Sequence, residues 1–182
     1  MLKKSGFTLI ELIVSVSIMG MMTALFLVNY HSANRRSDLT MTAQKMVADI
    51  RMAQNYALGL ARYGAAGSLN VPTGGWGLNI DLVNSNKQYL IFADDDGDKI
   101  YDSGEANLAY GALVSSLPNN IIIESLSVGQ RANITFLPPD PITTIYGPIA
   151  TSSEININLK DLSTNNIKTV KINFLGLVEL VN

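Results

Sequence analysis

An acidic stretch between residues 94 and 105 carries oxygen-bearing groups at the spacing of a calcium-binding loop. Carboxylates stand at its first, third, fifth, ninth and twelfth positions, and the seventh residue offers a backbone carbonyl. In such a loop alternate residues point inward, and a terminal glutamate can close the coordination shell with two oxygens. The calcium ligands that this spacing predicts are Asp94, Asp96, Asp98, Ile100, Asp102 and Glu105.

The same stretch departs from a calcium-binding loop at its sixth position. Such loops turn on glycine there, whereas this chain has Lys99, and Gly97 stands two positions earlier. A non-glycine residue in the left-handed conformation costs roughly 1–2 kcal/mol. The sequence therefore leaves two interpretations open: a calcium site, or a solvated acidic turn that contacts a basic neighbour.

Another carboxylate interrupts an apolar segment near the N-terminus. From Phe7 to Tyr30 the only charged residue is Glu11, and a helix of about 20 apolar residues is enough to cross a bilayer. Lys3 and Lys4 precede the segment and favour a cytoplasmic N-terminus. A carboxylate at membrane depth costs roughly 2.5–3.5 kcal/mol on insertion scales, which indicates that Glu11 serves a purpose.

Two simpler explanations of this segment fit less well. A secretory signal peptide has a shorter apolar core that is followed by a small-residue cleavage site, but here the small residue, Gly6, precedes the apolar segment. A plain membrane anchor fits the length and leaves Glu11 unexplained.

The segment Gly-Phe-Thr-Leu-Ile-Glu from Gly6 to Glu11 closely resembles the processing site of type IV prepilins and type II secretion pseudopilins. The resemblance implies cleavage between Gly6 and Phe7 by a prepilin peptidase on the cytoplasmic side, and then N-methylation of Phe7. It also implies that Glu11 pairs with the N-terminal amine of a neighbouring subunit. Such pairing is physically reasonable, because an unpaired charge in the bilayer is costly.

The helix is predicted to continue as an amphipathic helix to about Tyr63. Apolar residues recur at three- and four-residue spacings, which indicates one buried face, and the sequence Gly-Ala-Ala-Gly from Gly64 to Gly67 is a natural stop. The residues assigned to that face are Leu39, Met41, Met46, Val47, Ile50, Met52, Ala53, Tyr56, Ala57, Leu60 and Ala61.

From about Leu69 the pattern becomes that of β-strands. Alternation is clearest in two of them, with Ile155, Ile157 and Leu159 on one face of the first strand. In the second strand, Val170, Ile172 and Phe174 alternate in the same way, and the two Asn residues at 165 and 166 form a turn between the strands. Predicted strands cover residues 76–82, 88–93, 121–126, 133–137, 154–159, 168–174 and 177–181. Since no helix separates them, we expect a mainly antiparallel sheet and the α+β class.

The second half of the chain has its own resemblance. The segment Gly-Trp-Gly at residues 75–77, the strand that ends at residues 91–94, the acidic stretch, and the segments at residues 134–139 and 168–176 are similar to H-type minor pseudopilins and FimT-like minor pilins, the GspH/FimT family. The alternative is another minor pilin with a similar sheet. Together with the apolar and amphipathic segments, the two resemblances give four regions: a cleaved leader at 1–6, a transmembrane or fibre-core helix at 7–30, its amphipathic continuation at 31–63, and a GspH/FimT-like β-domain at 64–182.

Composition excludes several other classes of function. The formal net charge of -2 offers no bulk attraction to nucleic acid, and without cysteine there is no thiol chemistry. His31 is the only histidine, so neither a histidine-based triad nor a zinc site can be built. No catalytic constellation is present, and we do not expect an enzyme.

The sequence therefore predicts a non-enzymatic minor subunit of a pilus-like fibre, either a type II secretion pseudopilus or a type IV pilus. Its implied partners are the prepilin peptidase, other pilin or pseudopilin subunits and an inner-membrane assembly platform. We expect a single-pass inner-membrane protein with a periplasmic or extracellular C-terminal domain, which later enters the fibre. The alternative is a DNA-binding minor pilin for DNA uptake. No positive charge follows Gly176, however, and a surface that binds DNA needs positive charge.

Overall fold

The computed structural model describes residues 6–64, 70–105, 112–138, 142–148 and 151–181. These residues form one long helix, α1 (Leu9–Leu58), followed by β-strands. The strands are β1 (Gly75–Asp81), β2 (Gln88–Asp94), β3 (Ala112–Ser116), β4 (Ile121–Leu126), β5 (Arg131–Leu137), β6 (Ile142–Tyr146), β7 (Thr151–Ser152), β8 (Glu154–Asp161), β9 (Ile167–Asn173) and β10 (Val178–Val181).

The strands form two antiparallel sheets. One has six strands in the order β3-β2-β1-β5-β6-β7, and the other has four in the order β10-β9-β8-β4. Each strand pairing within them is antiparallel. The prediction of an α+β fold, with an N-terminal helix and a mainly antiparallel sheet, is confirmed.

The chain divides into two compact units, Met1–Ser37 and Asp38–Asn182. In the second unit, one side of α1 contributes to a core that also contains residues of both sheets. The buried helix residues recur every three or four positions, as an amphipathic helix requires. They are Leu39, Ala43, Met46, Ile50, Ala53 and Ala57. Met41 and Leu60, which the pattern placed on the buried side, are exposed.

Helix α1 ends at Leu58, before the predicted end near Tyr63. Two hydrogen bonds close its last turn: the Leu60 amide donates to the Ala57 carbonyl, and the Ala61 amide donates to the Tyr56 carbonyl. Leu60 itself is left-handed, with φ of 48°. This is the Schellman arrangement, which terminates a helix. Apolar residues continue the amphipathic pattern past Leu58, but the helix ends there because the backbone of Leu60 is left-handed.

The structure agrees with the predicted strands apart from their ends, and it adds β3, β6 and β7. Phe174 was expected to continue the buried face of β9, but it lies in the turn after that strand and is 55% exposed. The predicted strand start near Leu69 and the leader residues Lys3 and Lys4 lie outside the described residues.

Trp76 connects the helix side of the core with the six-stranded sheet. Its side chain is 3% exposed, and its ring centroid lies 5.0 Å from that of Tyr56 on α1. The indole Nε1 donates to the Ala61 carbonyl at 3.0 Å. The indole therefore has both the apolar contact and the hydrogen-bond acceptor that a buried tryptophan needs.

A polar contact fixes the same helix to the sheet near Asp49. The Asp49 carboxylate accepts hydrogen bonds from the Tyr89 hydroxyl at 2.7 Å and the Ser115 hydroxyl at 2.9 Å. Lys45, one turn earlier on α1, donates to the same carboxylate at 2.9 Å. Because each donor satisfies a half-buried carboxylate, this cluster orients the helix without leaving an unpaired charge.

Candidate functional site

The acidic stretch begins at the end of a buried strand. Asp94 is the last residue of β2 and is completely buried. The carboxylates of Asp94, Asp96 and Asp98 converge, and one oxygen atom of each lies within 4.8 Å of one oxygen atom of each of the others. The structure thus brings together the first three predicted calcium ligands.

The backbone folds around the Asp94 carboxylate. Its Oδ1 accepts a hydrogen bond from the Gly97 amide at 2.8 Å, and its Oδ2 accepts one from the Lys99 amide at 3.0 Å. Lys99 has φ of 69°, which is the left-handed conformation that the sixth position of a calcium-binding loop adopts. The lysine therefore occupies the conformation expected of glycine there, at a conformational cost.

The last three predicted ligands, Ile100, Asp102 and Glu105, are not in the group formed by the first three. Glu105 is buried, and its carboxylate accepts hydrogen bonds from the Asp95 amide and the Asp102 amide, both at 2.9 Å. Neither Glu105 nor Asp102 belongs to the group of three converging carboxylates. The amide of Ile100 donates to Asp98 at 2.7 Å, whereas the prediction concerned its carbonyl oxygen.

Burial changes the acidity of two carboxyl groups in this loop. Burial raises the pKa of Asp94, backbone hydrogen bonds from Gly97 and Lys99 oppose that rise, and the nearby negative charges add to it. Burial likewise raises the pKa of Glu105, against the hydrogen bonds from the Asp102 and Asp95 amides. Burying these negative charges close together is therefore unfavourable. Binding of either a proton or a cation would reduce the repulsion between them.

Contacts outside the acidic stretch hold it in place. The Tyr101 ring lies 5.5 Å from the Phe92 ring of β2 in an edge-to-face arrangement, and the Tyr63 hydroxyl donates to the Asp95 carboxylate. Gly74 provides space for Asp94, since a Cβ atom at this position would overlap the Asp94 carboxylate. These contacts fix the loop to the rest of the sheet unit.

The second region predicted from the sequence lies at the N-terminus. Gly6 and Phe7 precede the helix and are exposed, with Phe7 80% exposed. Thr8 caps α1: the Thr8 amide and hydroxyl donate to the Glu11 carboxylate at 3.0 and 2.8 Å, and the Glu11 amide donates to the Thr8 hydroxyl at 3.4 Å. This reciprocal pattern is a capping box.

The helix that follows is apolar around its whole circumference. Leu9–Leu27 has a mean hydropathy of 2.1, and none of it is buried within the chain. Ile10, Ile13 and Met19, which lie on different sides of this helix, are all more than half exposed. A helix that is hydrophobic on every side needs lipid or other helices around it. By length and composition it is a candidate transmembrane helix.

Residues 1–27 match the model of the prokaryotic N-terminal methylation motif. This motif marks type IV prepilin-like proteins. The chain therefore carries the N-terminal motif of type IV prepilin-like proteins. Searches of curated proteins and of solved structures found no significant match.

For a prepilin-like protein, the motif implies processing by prepilin peptidase and assembly with other pilins. The motif belongs to structural, pilin-type proteins and not to enzymes. The roles of Gly6, Phe7 and Glu11 stay predictions, as does calcium binding by the acidic loop. The exposed apolar helix fits a pilin anchored in a membrane.

Sequence reasoning overlooked Thr8 as a partner of Glu11. The signal was present, because Thr followed three residues later by Glu is the signature of a capping box at a helix N-terminus.

Proposed function

We propose that this prepilin-like protein is a non-enzymatic minor subunit of a pilus-like fibre, of the GspH/FimT type. The observation that carries the proposal is the methylation motif, which continues directly into a helix with apolar side chains on every side. Such a helix can exchange lipid contacts for contacts with other subunits when the fibre is assembled. The sheet unit then faces other subunits or cargo.

In this proposal the precursor lies in the inner membrane with Lys3 and Lys4 on the cytoplasmic side. Cleavage after Gly6 frees the Phe7 amine, which is then methylated. The Glu11 carboxylate pairs with the N-terminal amine of a neighbouring subunit and so directs docking.

Cleavage is tested by mass spectrometry of the full chain isolated from membranes of a cell that expresses a prepilin peptidase. The wild-type chain should lack residues 1–6 and carry one additional methyl group. Gly6→Leu should leave the precursor intact, whereas Gly20→Ala, a matched change inside the helix, should be processed normally. Normal processing of Gly6→Leu would overturn the cleavage assignment.

Assembly is tested with Glu11→Gln, which removes the charge and keeps the size of the side chain. We expect this variant to be cleaved normally and to be lost from sheared fibres. Incorporation at the wild-type level would show that the Glu11 charge is not needed for assembly.

The alternative is a DNA-binding minor pilin. Two lysines on the four-stranded sheet have acidic partners: Lys160 lies beside Glu124, and Lys171 lies 2.8 Å from Glu154. Neutralised lysines contribute little to phosphate binding, so these pairs favour the structural role. Retardation of duplex DNA by the full chain at low salt would favour DNA uptake.

We also retain calcium as a proposed ligand of the acidic loop, supported by the three converging carboxylates and the left-handed Lys99. Calorimetric titration of the full chain with calcium chloride tests it, with Asp96→Asn as the weakened variant. Heat from the wild-type chain that Asp96→Asn reduces would support calcium. If millimolar calcium produces no heat, the calcium site is excluded and the acidic loop is a solvated turn.

A further inference from the structure

A groove lies on the face of the six-stranded sheet that is opposite the core. On β1, Leu78 and Ile80 belong to the core, so the alternating Asn79 and Asp81 point to the other face. A cavity of about 460 Å³ opens there. We call it the outer groove, and the residues that matter for the argument are Asn79, Asp81, Gln88, Tyr101, Arg131 and Asn133.

The two asparagine side chains at the floor of the outer groove are held in fixed positions. Asn79 and Asn133 face each other across β1 and β5, and the Asn79 amide donates to the Asn133 side-chain oxygen at 2.7 Å. The Tyr101 backbone amide donates to the same oxygen at 3.3 Å. A rigid pair of amides at the floor is a preorganised recognition element, because little side-chain entropy remains to be lost on binding.

The charges in the outer groove cancel each other. Arg131 Nε lies 3.1 Å from the Asp81 carboxylate, which also accepts hydrogen bonds from the backbone amides of Val83 and Asn84. Asp81 therefore accepts hydrogen bonds from the turn between β1 and β2 and also forms an ion pair with Arg131. A phosphate or carboxylate ligand would have to compete with Asp81 for Arg131, so a neutral ligand fits better.

Recognition in the outer groove depends on side chains, since the strands of its floor have no free backbone edge. β2 pairs with β1 and β3, and β5 pairs with β1 and β6. An extended peptide could not add to these strands, as peptides do at a sheet edge. Asn and Gln side chains both donate and accept hydrogen bonds, which matches ligands whose hydroxyl groups do the same.

The walls supply apolar contact beside these amides. Leu90 and Val114 line the groove from the sheet, and Tyr101 lines it from the acidic stretch. Polar groups at fixed positions beside apolar walls are typical of small-molecule sites. We propose that the outer groove binds a neutral polyhydroxylated ligand, namely a sugar unit of a glycan.

The test uses the full chain in nanodiscs, because sugar-based detergents would compete for the groove. Saturation-transfer NMR with maltotriose and chitotriose as probes should show binding in the millimolar range. Gln88→Ala removes an exposed amide of the groove, and Tyr101→Phe removes a hydroxyl group while keeping the ring beside Phe92. Each should weaken binding severalfold, and together at least tenfold.

The matched control is Asn156→Ala, which removes an amide from the outer face of the four-stranded sheet. It should bind as the wild type does. Absence of saturation transfer to both sugars would overturn the proposal. So would wild-type affinity in the double variant, or a loss of affinity in Asn156→Ala equal to that in Gln88→Ala. Binding of the tripeptide Ala-Gly-Ala in place of the sugars would assign the groove to peptides instead.

Discussion

At the scale of single residues, Glu11 has a partner within its own chain. Thr8 donates two hydrogen bonds to the Glu11 carboxylate, and the pair caps the helix that carries the apolar segment. A carboxylate near a helix N-terminus is also favoured by the helix dipole. Glu11 is thus stabilised locally before it meets any other subunit. A neighbouring amine would add to these hydrogen bonds or replace them.

We expect Thr8→Ala to loosen the first turn of α1. Loss of an N-cap costs about 1 kcal/mol, which corresponds to roughly a fivefold loss of protection for the Glu11 amide in hydrogen exchange. Thr8→Ser should keep the protection. Thr23→Ala, which removes a hydroxyl bonded to the Met19 carbonyl, is the control. Equal effects of the two alanine variants on the Glu11 amide would contradict a specific capping role.

The acidic loop should be more stable in acid than at neutral pH when no divalent cation is present. Burial raises the pKa of Asp94 and Glu105, so the folded loop binds protons more tightly than the unfolded chain does. The stability that the folded loop gains from this tighter proton binding is present in full below the ordinary carboxyl pKa, about 4. It is lost as the pH rises through the raised pKa of the folded state.

The measurement is hydrogen exchange of the Gly97 and Lys99 amides at pH 4 and pH 7 with a chelator, corrected for intrinsic exchange rates. The Ile157 amide in β8 serves as the internal reference. Protection of Gly97 and Lys99 that is unchanged or greater at pH 7, relative to Ile157, would disprove the expectation.

At the scale of elements, the end of α1 shows where backbone geometry prevails over side-chain pattern. Leu58 and Leu60 are equally exposed, at 53% each, but only Leu60 is left-handed. A left-handed leucine costs roughly 1–2 kcal/mol, and glycine would remove that cost while adding entropy to the unfolded chain.

Leu60→Gly should therefore stabilise the chain by about 0.5–1 kcal/mol. Leu58→Gly should destabilise it by about 1 kcal/mol, because Leu58 is still helical. Urea unfolding followed by circular dichroism measures both free energies. Destabilisation by both glycine variants would show that Leu60 gains more from its contacts than it loses to strain.

Elements with strong periodicity were predictable from the sequence. The buried side of α1 and the alternating strands around Ile157 and Val170 follow the pattern of their residues. Strands β3, β6 and β7 were missed because they are short and lack clear alternation. For the acidic loop, spacing indicated the convergence of Asp94, Asp96 and Asp98. Glu105 instead accepts hydrogen bonds from the Asp95 and Asp102 amides, and residue spacing alone does not distinguish a carboxylate that binds backbone amides from one that binds a cation.

At the scale of the whole molecule, the absence of cysteine makes the topology directly testable. Ser163 is exposed in the turn between β8 and β9, so Ser163→Cys introduces one reactive thiol into the sheet unit. If Lys3 and Lys4 hold the N-terminus in the cytoplasm, this thiol lies on the opposite side of the inner membrane.

A membrane-impermeant maleimide should label Ser163→Cys in intact spheroplasts. The wild-type chain, which has no thiol, is the control for specificity. Labelling only after the spheroplasts are lysed would place the sheet unit in the cytoplasm and contradict the proposed topology.

The position of Trp76 has a practical consequence. It is the only tryptophan in the chain, and it is buried between the ring of Tyr56 and the carbonyl of Ala61. Its fluorescence therefore comes from a single environment, the place where the helix meets the sheet. A red shift of the emission would report the separation of helix and sheet, so the molecule contains its own optical probe for the stability of that junction.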